Sequence, residues 1–172
     1  TVGNEQCRLS THSTWRLHLN KEAHPPSKIW VSGPHLENLG HWKEMGTHVT
    51  IQNSELFKEC DVIILGVKPG MLDEAINGCR YPCASNKPAL FISMLAGVDL
   101  ITLRNVSSSI RIIRIMPNTP MTIGQGICLY TPDKGVSTQD CKLLENLLSS
   151  SSVCEKVPES SMDTLGGDRL GI

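Results

Sequence analysis

Asp61-Val62-Ile63-Ile64-Leu65-Gly66-Val67-Lys68-Pro69-Gly70 decides the fold. Val62 to Leu65 form an unbroken apolar block. Such a run suits a parallel strand covered on both faces, because a strand with one wet face alternates instead. Glycine and proline then punctuate the chain. Asp73 and Glu74 follow where acidic residues help a helix N-terminus, and Met71, Leu72, Ala75 and Ile76 give that helix an apolar side.

The same alternation extends in both directions. Toward the N-terminus, Lys28–Ser32 reads as a strand, Leu36–Met45 as a helix, Thr47–Ile51 as a weakly alternating strand and Leu56–Glu59 as a short helix. Toward the C-terminus, Ala89–Met94 is the next strand and Val98–Arg104 a short helix. Ile110, Ile112, Ile113 and Ile115 then lead a strand into Met116, and Ile127–Thr131 forms another. Ser137 followed by Asp140 resembles a capping box with Asp in place of Glu. Leu143, Leu144, Leu147 and Leu148 line one face of the helix behind it. Strands alternating with helices predict an α/β fold with a doubly wound, mostly parallel sheet. The serines at 149–152 are a short low-complexity tract, and there are no internal repeats.

Size and composition narrow the function. A chain of 172 residues fits one domain, and 40% hydrophobic residues with only 4% aromatic ones imply an aliphatic core. The net charge is −1, with Lys and Arg scattered, so the chain offers no nucleic-acid or anionic-membrane surface. No apolar stretch approaches the roughly 20 residues that cross a bilayer, and the protein reads as soluble. Seven cysteines include Cys79 and Cys83, but no second pair or His pair stands at zinc-like spacing. An odd count without a secretory signal favours reduced thiols and no metal. His12, His18 and His24 are six apart, which suits neither one helix face nor a ligand pattern. Residues 1–27 carry Arg16 and Lys21 but also Glu5 and Glu22, a poor match to a transit peptide.

In an open parallel sheet, ligands bind beyond the carboxyl ends of the strands. Three strand ends here carry suggestive residues. Gly66-Val67-Lys68-Pro69-Gly70 combines glycines that let backbone approach a ligand with a lysine suited to a phosphate, although a solvated loop lysine is the commoner reading. Ser93-Met94-Leu95-Ala96-Gly97 opens into small residues, which equally suits a turn. Met116-Pro117-Asn118-Thr119-Pro120 ends its strand at proline, since proline cannot donate to a ladder. That leaves Asn118 and Thr119 on a stiffened loop, either an ordinary proline-closed turn or a pair of side chains orienting a polar ligand.

Val67-Lys68-Pro69, the stretch from Ser93 ending Ala96-Gly97-Val98, and Arg114-Ile115-Met116-Pro117-Asn118-Thr119-Pro120 together resemble the cofactor domain of pyrroline-5-carboxylate reductase. The likeness runs from about residue 28 to about residue 165 and includes the acidic segment Glu155 through Asp163. It implies a Rossmann-type domain binding NADPH or NADH. The implied reaction is reduction of 1-pyrroline-5-carboxylate to L-proline, the last step of proline biosynthesis, in the cytoplasm or the mitochondrion. It also implies a site. Asn53, Gly66, Val67, Lys68, Pro69, Met94, Leu95 and Ala96 would line the dinucleotide, with Ser32 near the adenosine ribose. Asn118 and Thr119 would lie close to the nicotinamide and substrate. No catalytic residue and no metal ligand is assigned. The family is homo-oligomeric through an all-helical domain.

Two departures shape the expectation. The family's G-x-G-x-x-G turn needs glycines that are missing, since Gly3 is the sole glycine before residue 33. The first family strand is central in the order 3-2-1-4-5-6. The candidate replacement is Trp15-Arg16-Leu17-His18-Leu19, separated from Lys28 by eight residues, two of them proline. A parallel crossover needs at least about 10–12. The expectation is therefore an incomplete sheet: 1–27 unassigned, 28–165 the nucleotide-binding domain, and 166–172 the start of a link to an absent helical domain. A partial reductase of doubtful activity follows, with a non-catalytic truncated remnant, or a nucleotide-binding or partner module, as the rival. Another NADP-linked reductase is a third reading, against which the Asn-Thr pair between prolines favours the proline enzyme.

Overall fold

The computed structural model describes residues 7–11, 25–77, 89–107 and 111–170. Trp15–Leu19, the histidines at 12, 18 and 24, Cys79, Cys83 and Ile110 lie outside the described residues. Eight strands form one sheet: β1 (Cys7–Thr11), β2 (Ile29–Ser32), β3 (His48–Thr50), β4 (Val62–Gly66), β5 (Leu90–Ser93), β6 (Ile112–Pro117), β7 (Gly126–Pro132) and β8 (Ser152–Lys156). Their order is β3-β2-β1-β4-β5-β6-β7-β8. Strands β1 to β6 are mutually parallel, β7 runs antiparallel to β6, and β8 is parallel to β7.

The centre of the sheet corrects the expectation of a missing first strand. Cys7–Thr11 pairs in parallel with β2 on one side, Cys7 opposite Ile29, and with β4 on the other, Cys7 opposite Val62. The position expected to fall to Trp15–Leu19 is taken upstream. A crossover to β2 then has residues 12–28 to work with, which meets the length requirement that the shorter link failed. Residues 7–11 therefore belong to the same sheet as the expected 28–165 domain. At the other end, helix α6 (Glu159–Leu170) continues through the boundary expected at 165, and β8 occupies the far edge of the sheet.

Period-two alternation sorts the strand residues into two cores. Val62 and Ile64 of β4, Ile92 of β5, and Ile113 and Ile115 of β6 face one side with Ile29 and Val31 of β2. There Leu39 and the helix α5 (Thr138–Leu148) cover them, through Leu144, Leu147 and Leu148. Trp42 of the short helix α1 (Gly40–Glu44) packs against the same cluster. Ile63, Leu65, Phe91 and Ile112 face the opposite side. They meet Leu56 and Phe57 of α2 (Asn53–Glu59), Leu72 and Ile76 of α3 (Leu72–Asn77) and Leu103 of α4 (Leu100–Ser107). Both faces of the sheet are thus covered, which is why the β4 sequence contains no polar alternation.

The predicted capping box is present. Ser137 Oγ accepts from the Asp140 backbone N–H, and Asp140 Oδ2 accepts from the Ser137 N–H at 2.9 Å. Asp140 also receives Arg111, the residue just before β6, Nη2 to Oδ1 at 2.5 Å. Burial pushes the Asp140 carboxyl up, but the Arg111 guanidinium and the Ser137 donors outweigh it and hold the group below the usual carboxylate range. A folded-state pKa below the unfolded value of about 3.9 gives stability that is present above that value and lost as pH falls through the folded one. Asp140→Ala is therefore expected to cost about 2 kcal/mol at pH 7. In urea unfolding, the gap between variant and wild type should narrow progressively as the pH falls below about 4 and through the folded value. A gap that persists through that range would remove the charge from the explanation.

Candidate functional site at the strand ends

Chain direction fixes where the functional residues gather. Because β2, β4, β5 and β6 are parallel, their carboxyl ends lie along one edge of the sheet, and each opens into a segment singled out from sequence. Ser32 ends β2, Gly66 ends β4, Met94 follows β5 and Asn118 follows β6. Antiparallel β7 begins at this same edge, with Gly126 and Ile127 beside Asn118.

Between the ends of β2 and β4 lies a cleft of about 350 Å³, whose wall includes Ser32, Gly33, Pro34, Gln52, Asn53 and Val67. Met71, Glu74 and Ala75 of the following helical segment close its other side. A hydrogen-bond relay forms its floor. Ser32 Oγ donates to Asn53 Oδ1 at 2.7 Å, and Asn53 Nδ2 donates to the Ala75 carbonyl at 3.0 Å. Ser32 is fully buried, so its hydroxyl positions Asn53 from beneath. The relay joins the end of β2, the first turn of α2 and α3. Residues 21 and 22 positions apart meet here, which no local pattern in the sequence could show.

The remaining strand ends flank this cleft. Lys68 is exposed, and its carbonyl accepts from Met71 N–H at 2.8 Å, closing the single turn Pro69–Met71. Proline at the first position of that turn is pre-set for it. Met94 N–H donates to the Leu65 carbonyl at 3.0 Å, and Leu95 N–H donates to the buried Ser93 Oγ at 3.3 Å. The Leu95 side chain is buried in the second core, so what it presents to the edge is backbone. Ala96 is exposed and Gly97 sits at φ 71°, the left-handed region that favours glycine.

Past β6, Asn118 is buried and is committed to the hairpin. Its Oδ1 accepts from Ile127 N–H at 2.9 Å while its own N–H donates to the Ile127 carbonyl at 3.2 Å. Thr119 is exposed and starts the turn Thr119–Ile123, which returns the chain to β7. The structure thus brings Ser32, Asn53 and Val67 into one cleft. It places Gly66, Lys68, Pro69, Met94, Ala96, Asn118 and Thr119 along the adjoining edge. The sequence reading missed Gln52, Met71 and Glu74 as cleft residues. Glu74 was legible only as a helix-starting acid, and its position across from β2 depends on tertiary packing.

Behind this edge, Arg114 of β6 is buried among helices. Its Nη1 donates to Glu159 at 3.1 Å and its Nη2 to Asp163 at 2.5 Å, both on α6. The same Glu159 Oε1 accepts from Leu100 N–H at the first turn of α4. Burial works against the Arg114 charge, but the two carboxylates prevail and raise its pKa further.

Comparison with known proteins agrees with this fold. Residues 15–97 match the family described as NADP oxidoreductase, coenzyme F420-dependent. Pyrroline-5-carboxylate reductase 3 of Danio rerio is 33% identical over 140 residues, covering 81% of this chain and 48% of that protein. The pyrroline-5-carboxylate reductase of Methanosarcina acetivorans is 31% identical over 138 residues, covering 80% of this chain and 50% of that protein. The chain spans about half the length of the curated relatives it matches. Among solved structures, the reductase of Coxiella burnetii superposes with a TM-score of 0.77 at 20% identity, over 93% of this chain and 62% of that one. The Plasmodium falciparum enzyme, crystallised with NADP bound, gives 0.75 at 23%, over 94% of this chain and 61% of that one. By sequence this chain is similar to pyrroline-5-carboxylate reductases over about half of their length, and by fold it resembles their solved structures.

Proposed function

We propose that this chain supplies the nucleotide-binding part of an NAD(P)H-dependent reductase acting on 1-pyrroline-5-carboxylate, yielding L-proline. The observation that carries the reading is the cleft between the β2 and β4 ends, floored by the Ser32–Asn53–Ala75 relay. Its volume falls within the roughly 300–1,000 Å³ of small-molecule sites, and its mixed polar and apolar wall fits an adenosine group. Ser32 and Asn53 would hold the adenosine end, with Val67 against it. Gly66, Lys68, Pro69, Met94, Leu95 and Ala96 would follow the dinucleotide along the edge, largely through backbone. Lys68 offers that edge a positive charge.

When bound, the nicotinamide supplies the hydride that reduces the imine carbon. The chain itself binds and orients. Asn118 locks the β6–β7 hairpin so that Thr119 stands at a fixed position on the edge, and rigid placement of this kind lowers the barrier without a catalytic side chain. The sheet from Cys7 to Lys156 with α6 would form one nucleotide-binding unit, extending the 28–165 domain at both ends. None of its described helices is long and apolar enough to cross a membrane.

Amide chemical-shift mapping tests the binding site. Addition of NADH or NADPH should shift resonances of the non-proline residues among 32–33, 52–54, 66–75, 94–97 and 118–119, and leave α5 unmoved. Shifts clustered elsewhere, or none, would overturn the assignment. For the substrate, protein captured from its source should oxidise NAD(P)H only when 1-pyrroline-5-carboxylate is added.

A further inference from the structure

Two thiols stand side by side at the β8 end of the sheet, four strands away from β4 and its cleft. In the β7–β8 ladder Cys128 is directly opposite Cys154. Both side chains go to the same face, where Cys128 is buried in the first core and half-buried Cys154 packs against it. Opposed residues on neighbouring strands are about 4.8 Å apart, within the roughly 4.4–6.8 Å that a disulfide spans between Cα atoms. Both cysteines are free thiols.

The two sulfurs are not equivalent. Cys154 has the Cys128 thiol beside it and Ser152 Oγ at 3.9 Å. The Cys128 hydrogen bond lowers the Cys154 pKa more than burial raises it, and Ser152 adds to the lowering against the Glu145 carboxylate. Cys128 is pushed up, by its bond to Cys154 and by burial. Cys154 therefore carries the thiolate and meets solvent, while Cys128 keeps its hydrogen and is shielded. An accessible thiolate next to a resolving thiol is the arrangement that peroxides oxidise selectively. The described thiols elsewhere differ. Cys60 is buried in the opposite core, and burial pushes the Cys141 thiol of α5 up despite the charge of Lys156.

We propose that Cys154 and Cys128 form a dithiol oxidised by hydroperoxides, in which Cys154 attacks and Cys128 resolves. The Cys154 sulfur attacks the O–O bond and takes one oxygen as a sulfenic acid. The other oxygen leaves as water or an alcohol, carrying the proton that Cys154 gave up. The Cys128 sulfur then attacks the Cys154 sulfur. An S–S bond forms, the S–O bond breaks, and the hydroxyl leaves as water with the Cys128 proton. Two electrons pass from the thiols to the peroxide. The bond ties the outermost described strand, β8, covalently to the strand that carries the Asn118 hairpin.

The reduced chain, treated with hydrogen peroxide, quenched with an alkylating reagent and digested without reduction, can be mapped by mass spectrometry. The dominant product should be a peptide pair joining Cys128 to Cys154, forming about ten-fold faster than any other linkage. A dithiol reductant should restore both thiols. Cys128→Ser should leave Cys154 as a sulfenic acid that a cyclic diketone captures. Cys154→Ser should slow oxidation of Cys128 about ten-fold. Circular dichroism checks that each variant is folded. A dominant linkage between other cysteines, or no linkage in the wild-type chain, would overturn the proposal. So would an unchanged rate of Cys128 oxidation in Cys154→Ser.

Discussion

Gly126→Ala is expected to destabilise the protein by about 3 kcal/mol, among the largest effects of any single methyl group added to this chain. A Cβ at this position would lie 2.5 Å from Met121 Cγ, 2.6 Å from Met121 Cα and 2.8 Å from Met121 Cβ. The Cγ could swing away. The Cα is backbone, and it moves only if the turn Thr119–Ile123 moves with it. That turn is pinned at both ends, by Asn118 to Ile127 and by the Gly126 N–H to the Ser151 carbonyl at 3.0 Å. Met121 is itself buried in the first core, so the strain spreads into the packing beneath β7. Urea unfolding followed by circular dichroism measures the cost. Gly40→Ala is the control, because a Cβ there meets nothing within 4 Å in a residue with helical backbone angles. It should be neutral or slightly stabilising. If Gly126→Ala unfolds within 1 kcal/mol of wild type, the turn is softer than its hydrogen bonds indicate.

The second large effect is expected at Arg114. Its side chain is 1% exposed, whereas its partners Glu159 and Asp163 are 34% and 66% exposed. That asymmetry sets the magnitude. Removing one member of a buried ion pair costs roughly 3–5 kcal/mol when the partner is left stranded. Asp163 can turn to water, so its share is small, in the range of surface pairs below about 1 kcal/mol. Glu159 is less free, because its Oε1 also caps Leu100 at the start of α4 and its Oε2 is buried without a partner among the described residues. Arg114→Leu should therefore cost about 3 kcal/mol, the lower end of that range. Asp163→Asn should cost less than 1 kcal/mol. Equal losses from the two substitutions in urea titrations would contradict this division.

Arg114 also shows where sequence reasoning stops. It was read as part of the Arg-Ile-Met-Pro-Asn-Thr-Pro stretch, one charge in a run of isoleucines. Two acids four positions apart, Glu159 and Asp163, were present downstream, and that spacing puts both on one helix face. Nothing local says that this face covers β6. The strands that were legible, Val62–Gly66, Leu90–Ser93 and Ile112–Pro117, are apolar because helices cover both their sides. Strand β8 was missed for the opposite reason. At the edge of the sheet, Ser-Val-Cys-Glu-Lys needs no apolar run, and Val153 is 72% exposed. Strand β1 was missed because Arg8, Ser10 and Thr11 interrupt the hydrophobic signal that a central parallel strand ordinarily carries. At the site, the strand-end residues were legible as punctuation after apolar runs. The partnership of Ser32 with Asn53, and the presence of Glu74 across the cleft, are properties of packing.

The central place of β1 has a consequence in time. Cys7–Thr11 leaves the ribosome before the other strands of the sheet, yet one of its two ladders is with β4, whose first residue is Val62. At about 5–20 residues per second, roughly 3–11 s of synthesis separate the two. During that interval one side of the strand has unmet backbone donors and acceptors, and closing a loop of that length is slow compared with local folding. The two-layer core cannot form around β4 until the interval ends. The earliest-made of the described strands is thus among the last to be locked on both sides, since its second ladder waits for β4.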